Sequence, residues 1–552
     1  MTKKFSKEFF SITDLYVAYR KAKTEAFYDN MHPSAIAFTD YESNLKNNLA
    51  NLYKKLSDIK STWEYEADFM GGYLFVPKSI DDGKWSNEDD IHFRSIDPVD
   101  DWSRMFSENK NKKIPVKFRQ IIAASVDYQI LSALWILKVG HKYEALLHNK
   151  VTYGNRLRRK KNNWRSLSWF NSDINIDSLG LFSPYFSGYQ KWRENGLTAM
   201  KESISDNIDV TAITMDLAGF YHNVSPHFML RKSFLNRMGL ELTSDEHLFT
   251  QKFITSIDTW YRNTPDYEQR KEGSLPVGLS ASKIISNVLL IELDNDVING
   301  LNPIYYGRYV DDLFIVAKTQ DGINSGKDVL RWMSQSIKSL KVNFIKNEDP
   351  ELRLRLPYAK DSNLFFTASK QKIFSLSGEH GLDLVDQISS QIREQSSEYR
   401  LLPDVPDTSV QMAEKTLLAS SDATLATDAL RKADVVSIRR LGFSLLLRDI
   451  EQYSKDLLRY RWKRLRKEFY GLVDRYLLTP KGLFELSTYY PRVFRIMIAN
   501  YDFEEANDFI AKLSTCFDLI DKTTESEGDV DISRLEVCKS YFVKVLIQAS
   551  LF

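Results

Sequence analysis

The alternation of apolar and polar positions divides the chain into three regions. Residues 1–115 open with helical spacing in "DLYVAYRKAKTEAF" and become strand-like and rich in turns around "GGYLFVPKSIDDGKW". In 116–380 short β-rich runs alternate with helical patterns, and 381–552 is almost wholly helical. The pattern predicts an α+β core flanked by an N-terminal region and a helical C-terminal domain.

The C-terminal region carries long amphipathic segments after stretches of small and polar residues at 402–409 and 419–427. Two such segments are "VSIRRLGFSLLLRDIEQYSKDLLRYRWKRLRKEF" and "KGLFELSTYYPRVFRIMIANYDFEEANDFIAKL". They predict helices that stack on one another, in the manner of a repeat. In "RYRWKRLRKEF" the spacing places Tyr460, Trp462 and Phe469 partly in a core and leaves the cations on a solvated face.

Two adjacent carboxylates interrupt the apolar stretch "YYGRYVDDLFIVAK" in the central region. Residues 305–310 and 313–316 read as strands, so Asp311 and Asp312 fall at the connection of a hairpin. Carboxylates beside buried strands are costly unless a cation neutralises them, and Mg²⁺ suits oxygen ligands. In "DVTAITMDLAGFYHNVSP" a further strand, 210–215, ends at a third acid, Asp216. Three such acids are typical of two-metal phosphoryl transfer.

Composition narrows the classes of protein that are possible. The 552 residues are 43% hydrophobic and 27% charged, as in a soluble protein of more than one domain. Two cysteines exclude a disulfide framework and a four-cysteine zinc site. The absence of a long apolar run or leader-like start predicts a cytoplasmic protein without a membrane partner. With a net charge of +1, any polyanion must bind at local basic patches.

Five segments in order resemble the motifs of a reverse transcriptase. "YVDD" resembles the metal-binding hairpin of its palm, "DLAGFYHNV" the first palm motif, and "LKVNFIKNE" the palm motif after the hairpin. "KFRQIIAASVDYQILSALWIL" resembles the fingers segment, and "LPVGLSASKIISNVLLIELD" the motif that braces template and nucleotide. The last departs from the family at Val277 and Lys283. The resemblance implies a right-hand polymerase with fingers and palm, followed by the helical domain.

The resemblance also implies roles for individual residues of a nucleotidyltransferase. The metal set is Asp216, Leu217, Asp311 and Asp312, holding two Mg²⁺ ions, with Mn²⁺ as a substitute. The residues expected to bind dNTPs are Arg119, Phe220, Tyr221, Gly278, Ser282 and Asn287. Lys346 is a candidate acid for the pyrophosphate or else an exposed cation. The ring of Tyr221 would crowd out a 2′-hydroxyl, and its alternative is a core tyrosine.

Two further segments resemble one branch of the family. "VTYGNRLRRKKNNWRS" and "LFSPYFSGYQKWRENGL" resemble an insertion in the abortive-infection (Abi) type of bacterial phage-defence reverse transcriptase. That branch implies DNA synthesis primed by a protein hydroxyl without a template, DNA covalently attached to the protein, and closed homo-oligomers. Tyr41 is a candidate priming residue, and an ordinary surface tyrosine is its alternative.

A basic run is the candidate nucleic-acid surface, with a solvated loop as the alternative. It contains six cations, no acid and one tryptophan: Arg156, Arg158, Arg159, Lys160, Lys161, Trp164 and Arg165. Two other functions remain open, namely an RNA-templated defence reverse transcriptase and a catalytically silent scaffold that binds nucleic acid or a partner. Residues 381–552 contain no histidine, which removes the usual acid/base of a ribonuclease but not metal-dependent cleavage.

Overall fold

A computed structural model describes residues 5, 9–29, 31–85, 97–160, 174–321, 323, 325–343, 351–366, 371–379, 381–382, 385, 440–526 and 534–551 of the chain. The chain divides into two compact units. The first unit is Met1–Tyr73 with Ile122–Ser389, and the second is Leu74–Ile121 with Ser390–Phe552. The second unit thus joins a segment from early in the chain to the C-terminal region, a grouping that crosses the linear order of the sequence.

The helices and strands follow one another in the order that the sequence patterns suggest. The helices of the N-terminal and central regions are α1 (Ile12–Tyr28), α2 (Ala35–Glu42), α3 (Leu45–Ser57), α4 (Ala67–Met70), α5 (Pro98–Glu108), α6 (Val126–Trp135), α7 (His141–Glu144), α8 (Tyr185–Ser205), α9 (Lys232–Met238), α10 (Ser244–Arg262), α11 (Asp266–Gln269), α12 (Ser280–Leu289), α13 (Ile291–Leu301) and α14 (Gly326–Ser336). Those of the C-terminal region are α15 (Arg440–Asp456), α16 (Lys463–Tyr476), α17 (Pro480–Leu486), α18 (Tyr490–Ala499), α19 (Phe503–Thr523) and α20 (Arg534–Leu551). The strands are β1 (Gly71–Ile80), β2 (Ile114–Ala124), β3 (Val210–Asp216), β4 (Tyr305–Tyr309), β5 (Asp312–Lys318), β6 (Leu340–Asn343), β7 (Glu351–Leu354), β8 (Leu364–Phe366), β9 (Lys372–Leu376) and β10 (Thr524–Ser526).

The first unit is built around an antiparallel sheet with the strand order β4-β5-β3-β9. Strands β3 and β5 are central, and nearly all of their residues are buried because helix α8 packs across β3, β4 and β5. The packing of α8 is close at Gly196, where any side chain would overlap the ring of Phe314. The predicted strands before and after the two aspartates, and the one that leads to Asp216, are therefore confirmed as members of one sheet.

The N-terminal helix α1 packs on α6 in the same unit. A capping box begins it, in which Ser11 and Asp14 exchange bonds between side chains and backbone N–H groups. Lys21 of α1 is fully buried. Its ammonium group donates to the carbonyl oxygens of Asn175, at 2.9 Å, and Gly180, at 3.1 Å. Burial lowers the pKa of Lys21 to about 8, and its bonds hold the loop that leads into α8.

The second unit contains a three-stranded sheet and the C-terminal helices. The strand order is β1-β2-β10, with β10 parallel to β2. Trp102 donates from Nε1 to Oγ1 of Thr523 at 3.0 Å, which joins α5 to the end of α19. In the basic helical segment Trp462 and Phe469 are buried as predicted, but Tyr460 is 71% exposed, so its predicted partial burial is wrong. Tyr460 precedes α16, where the helical periodicity that would turn it inward has not begun.

The helices of the described part of the chain offer no stretch that is both long and apolar enough to span a membrane. The two cysteines, Cys516 on α19 and Cys538 on α20, are buried free thiols.

Candidate active site

The hairpin β4–β5 presents the two adjacent aspartates through a strained two-residue connection. Tyr309 pairs with Asp312, which leaves Val310 and Asp311 as the connecting residues. Val310 has φ +59°, in the left-handed region that glycine normally occupies in such turns. A β-branched residue there costs about 1–3 kcal/mol and persists only where its surroundings hold it.

Arg308 stabilises this turn. Its guanidinium is fully buried and donates to the carbonyl oxygen of Val310 at 2.8 Å. It forms a bidentate pair with Asp294 at 2.8 and 2.7 Å, and it donates to the side chain and carbonyl of Asn287 at 3.0 and 3.2 Å. Tyr306 donates to the same carboxylate at 2.7 Å. The hairpin is thus fastened to α12 and α13 through one fully bonded cation.

Asp216 and Asp311 meet where β3 ends and the hairpin turns. Asp216 pairs with Asp312 across the β3–β5 ladder, and the side chain of Asp311 shares a hydrogen bond with that of Asp216. Burial, followed by the charges of Asp216 and Asp312, raises the pKa of Asp311 to about 8. The shared bond requires a proton on one of the two carboxyl groups, and a divalent cation bound here would displace that proton.

This pair fits a divalent cation with a largely open coordination shell. Within the described ranges, no three histidine, cysteine, aspartate or glutamate side chains form a group that could hold a metal ion. The metal-binding role of Asp312 stays a prediction. Mg²⁺ commonly takes one or two carboxylates and completes its shell with water and substrate phosphates. Asp216 and Asp311 would supply the two carboxylates of such a site if a cation bound here. Leu217, whose apolar side chain is 1% exposed, could add only its main-chain carbonyl.

The two aromatic residues after Asp216 have different environments. Phe220 is 3% exposed and belongs to the core. Its ring is therefore not available to bind a nucleotide, contrary to the prediction. Tyr221 is half-buried, and its hydroxyl lies near Ser286 and Asn155. Burial is the main cause that raises the pKa of Tyr221 to about 12, and the charge of Asp311 adds to it. The charge of Asp311 therefore acts on the phenol of Tyr221, and the predicted contact of this ring with the sugar stays a prediction.

Two hydrogen bonds connect the predicted nucleotide-binding segment, which comprises the turn before α12 and α12 itself, to neighbouring parts of the unit. The backbone N–H of Leu275 donates to the carbonyl of Tyr221 at 2.9 Å, and Nδ2 of Asn287 donates to the carbonyl of Gly154 at 2.8 Å. Ser282 is completely buried, and its hydroxyl has no partner in the described residues. Gly278 has φ +102°, which only glycine adopts without strain.

A histidine from the N-terminal region occupies the space that the missing side chain of Gly278 leaves. A Cβ at Gly278 would overlap the imidazole of His32. Nδ1 of His32 lies 2.8 Å from the carboxylate of Asp29, whereas Nε2 is buried without a protein partner in the described residues. The backbone after α1 thus closes on the turn that precedes α12.

The basic run divides between structural and surface roles. Arg156 and Arg159 pair with Glu144, whose side chain is 1% exposed, at 2.7 and 2.6 Å. Arg158 donates to the carbonyl of Phe182 at 2.7 Å, and Lys160 is half-exposed. The run contains no acid, but the fold places Glu144 against Arg156 and Arg159. These two arginines are therefore not free to bind phosphates. Lys161, Trp164 and Arg165 lie outside the described residues.

The remaining predicted residues fall in three settings. Arg119 is exposed on β2, which belongs to the second unit up to Ile121. Lys346 lies outside the described residues. Tyr41 is half-buried rather than exposed, because its ring stacks on Tyr19 at 6.0 Å and its hydroxyl donates to Asp127 at 2.7 Å. The polarity of the surrounding sequence did not reveal this tertiary contact.

Sequence reasoning missed Arg308, Glu144 and His32. Arg308 carried a signal, since an arginine within a β-rich apolar run must be paired when buried, and an unassigned aspartate, Asp294, stood in a neighbouring motif. Glu144 and His32 carried no such signal. The arginines that pair with Glu144 lie more than ten residues away from it, and Gly278, which His32 contacts, lies more than two hundred residues away.

An antiparallel sheet with two carboxylates meeting at a strand end and a hairpin defines the class of nucleotidyltransferase palms. Residues 109–349 match the model of the family described as reverse transcriptase (RNA-dependent DNA polymerase). The chain therefore carries a reverse transcriptase domain, which includes Asp216, Asp311 and Asp312 and spans less than half of the 552 residues. No curated protein matches the chain.

Proposed function

We propose that this protein is a DNA polymerase that uses dNTPs in anti-phage abortive infection, with a protein hydroxyl as primer and without a template. The observation that carries the polymerase activity is the paired Asp216 and Asp311, placed by β3 and a strained hairpin within a reverse transcriptase domain. A scaffold would gain nothing from so costly a concentration of negative charge, whereas phosphoryl transfer requires it.

The residues of the chain have distinct tasks in this reaction. Asp216 and Asp311 would hold Mg²⁺, which supplies activation of the attacking hydroxyl and neutralisation of the departing pyrophosphate. Asp312 adds charge beside them, and Arg308 holds the turn that orients Asp311. Tyr221 lies next to Asp311, where an aromatic ring would favour a deoxyribose.

The proposed mode of priming has a separate basis from the chemistry, namely the sequence of the insertion. The insertion that resembles abortive-infection enzymes supports protein priming, a defence role and assembly into oligomers. Tyr41 stays a candidate primer, and its hydroxyl would first have to leave Asp127. Loss of that bond is a conformational cost that a priming tyrosine must meet in every cycle of initiation.

The test is an incorporation assay with purified, nuclease-treated protein, Mg²⁺ and labelled dNTPs, resolved on denaturing gels with and without protease. We expect label that migrates with the protein, is released by protease and disappears with EDTA. Asp311→Asn and Asp216→Asn should abolish it, because each removes one of the two paired carboxylates. Asp206→Asn, which changes an exposed acid at the end of α8, is the matched control and should retain activity.

The second candidate is an RNA-templated reverse transcriptase, favoured by the description of the matched family as RNA-dependent. It predicts no incorporation until RNA and an annealed primer are added, and a product free of protein. Incorporation in neither condition, with protein that is folded, would contradict both activities and favour the scaffold.

A further inference from the structure

Two aromatic side chains stand exposed at the start of α8, beside the catalytic hairpin. Tyr185 is 66% exposed and Phe186 is 65% exposed. Isolated exposed aromatics are ordinary, but these two are adjacent, and Tyr185 contacts Tyr309 of the hairpin that carries the aspartates. The pKa of Tyr185 is raised by partial burial and by the neighbouring Tyr189, and also by the charge of Asp312.

The backbone of this helix start is fixed to the hairpin by close contacts. Tyr309 of β4 donates from its hydroxyl to the carbonyl of Tyr185 at 3.3 Å. At Gly188 a Cβ would lie 2.7 Å from the carbonyl oxygen of Tyr153, so only glycine allows this approach. At Gly154, the next residue of that loop, a Cβ would lie 2.8 Å from the side chain of Val310. The backbone at the start of α8 therefore keeps a defined position relative to the turn at Val310 and Asp311.

The ring of Tyr185 stacks on that of Tyr189, and neighbouring side chains contact both rings. Tyr185 lies parallel to Tyr189, with centroids 5.6 Å apart and 14° between the planes, and it meets Tyr309 edge-on at 5.4 Å. Arg193 lies over the ring of Tyr189 at 5.9 Å, and the exposed Lys191 is on the same helix. Exposed aromatic faces with nearby cations are the combination that binds single-stranded nucleic acid without regard to sequence.

We propose that Tyr185 and Phe186 form a stacking surface for the bases of the single strand that ends at Asp216 and Asp311. This inference rests on the proposed polymerase function and adds to it the site where the growing strand is positioned. The occupant is a single strand, because the bases of a duplex already have both faces stacked on neighbouring bases and are not accessible to these rings. The phenol hydroxyl has no part in stacking, so phenylalanine should replace Tyr185 without loss.

The first test measures binding of a fluorescein-labelled oligothymidylate to the full-length protein by fluorescence anisotropy, at fixed salt. Tyr185→Ala should weaken binding about 5- to 150-fold, since a stacked base contributes about 1–3 kcal/mol, and Tyr185→Phe should stay within about twofold of wild type. Tyr65→Ala removes a tyrosine that is 63% exposed elsewhere in the same unit and should change nothing. Circular dichroism and limited proteolysis confirm that each variant folds.

The second test measures the length of the protein-linked products made from labelled dNTPs. Tyr185→Ala should shorten these products, because the growing strand is held less firmly, while the KM for dNTP stays the same. Oligonucleotide binding that is equal in Tyr185→Ala and wild type overturns the inference, even if wild type polymerises. Loss of synthesis in Tyr185→Phe with unchanged binding also overturns it, because the hydroxyl would then be the functional group. Tyr185-dependent binding by a wild type that does not polymerise supports the stacking surface and contradicts the proposed function.

Discussion

The buried pair of Arg308 and Asp294 offers the most demanding prediction. Arg308→Met removes all five hydrogen bonds of the guanidinium and leaves Asp294 with Tyr306 at 2.7 Å and Thr152 at 3.5 Å. Breaking a buried pair on one side costs about 3–5 kcal/mol, because the remaining charge stays desolvated. The orphaned carbonyl and amide oxygens add to this cost, although not additively.

Equilibrium unfolding in urea, followed by tryptophan fluorescence, measures this cost. With a slope of about 3 kcal/mol per molar urea, the midpoint should fall by about 1–1.7 M. Arg331→Met is the matched control, since Arg331 is half-exposed and its pair with Asp328 should contribute less than about 1 kcal/mol. Hydrogen exchange of peptides that cover β4 and β5 should accelerate only in the Arg308 variant.

A double variant separates stability from activity. Arg308→Met with Asp294→Leu removes both charges, so it should recover at least half of the lost stability. It should not recover nucleotide incorporation, because the carbonyl of Val310 still lacks the donor that holds the strained turn. A midpoint for Arg308→Met no lower than that of the Arg331 control would refute the reasoning, as would a double variant less stable than the single one.

Three further predictions follow from contacts that the sequence did not reveal. Gly278→Ala should lose most of its nucleotide incorporation because its Cβ overlaps His32, and adding His32→Gly should restore part of it; equal activity of the single and double variants would contradict this. Burial raises the pKa of Glu144, but the charges of its two arginines outweigh this, so the folded pKa is lowered and the stabilisation is lost as pH falls through it. Glu144→Gln should therefore lower the urea midpoint at pH 7, and the gap from wild type should narrow as pH approaches 4; a constant gap would count against the pair. Burial raises the pKa of the Cys516 thiol to about 12 and that of Cys538 further, so iodoacetamide should modify both only in urea, and rapid labelling of the native protein would contradict their burial.

The local pattern of the sequence was sufficient for the strands and for the chemistry of the acids. Alternating β-branched and aromatic residues predict β3, β4 and β5, because strand formation depends on side chains that are close in sequence. Adjacent aspartates between such strands are informative because burying them uncompensated is too costly to be accidental. The order of the motifs then pointed to the domain that the family comparison found.

Tertiary packing determines which partner neutralises each buried charge and which side chains are buried. Arg156 and Arg159 read as cations for nucleic acid until the fold placed Glu144 against them, and Tyr41 read as exposed until Asp127 accepted its hydroxyl. The grouping of 74–121 with the C-terminal helices has the same origin. These outcomes depend on contacts between residues far apart in the chain, and periodicity reports only on neighbours. Local sequence patterns therefore predict the strands and the acidic and basic groups on them. Long-range packing determines which of those groups remain free to act, because it brings their partners into contact.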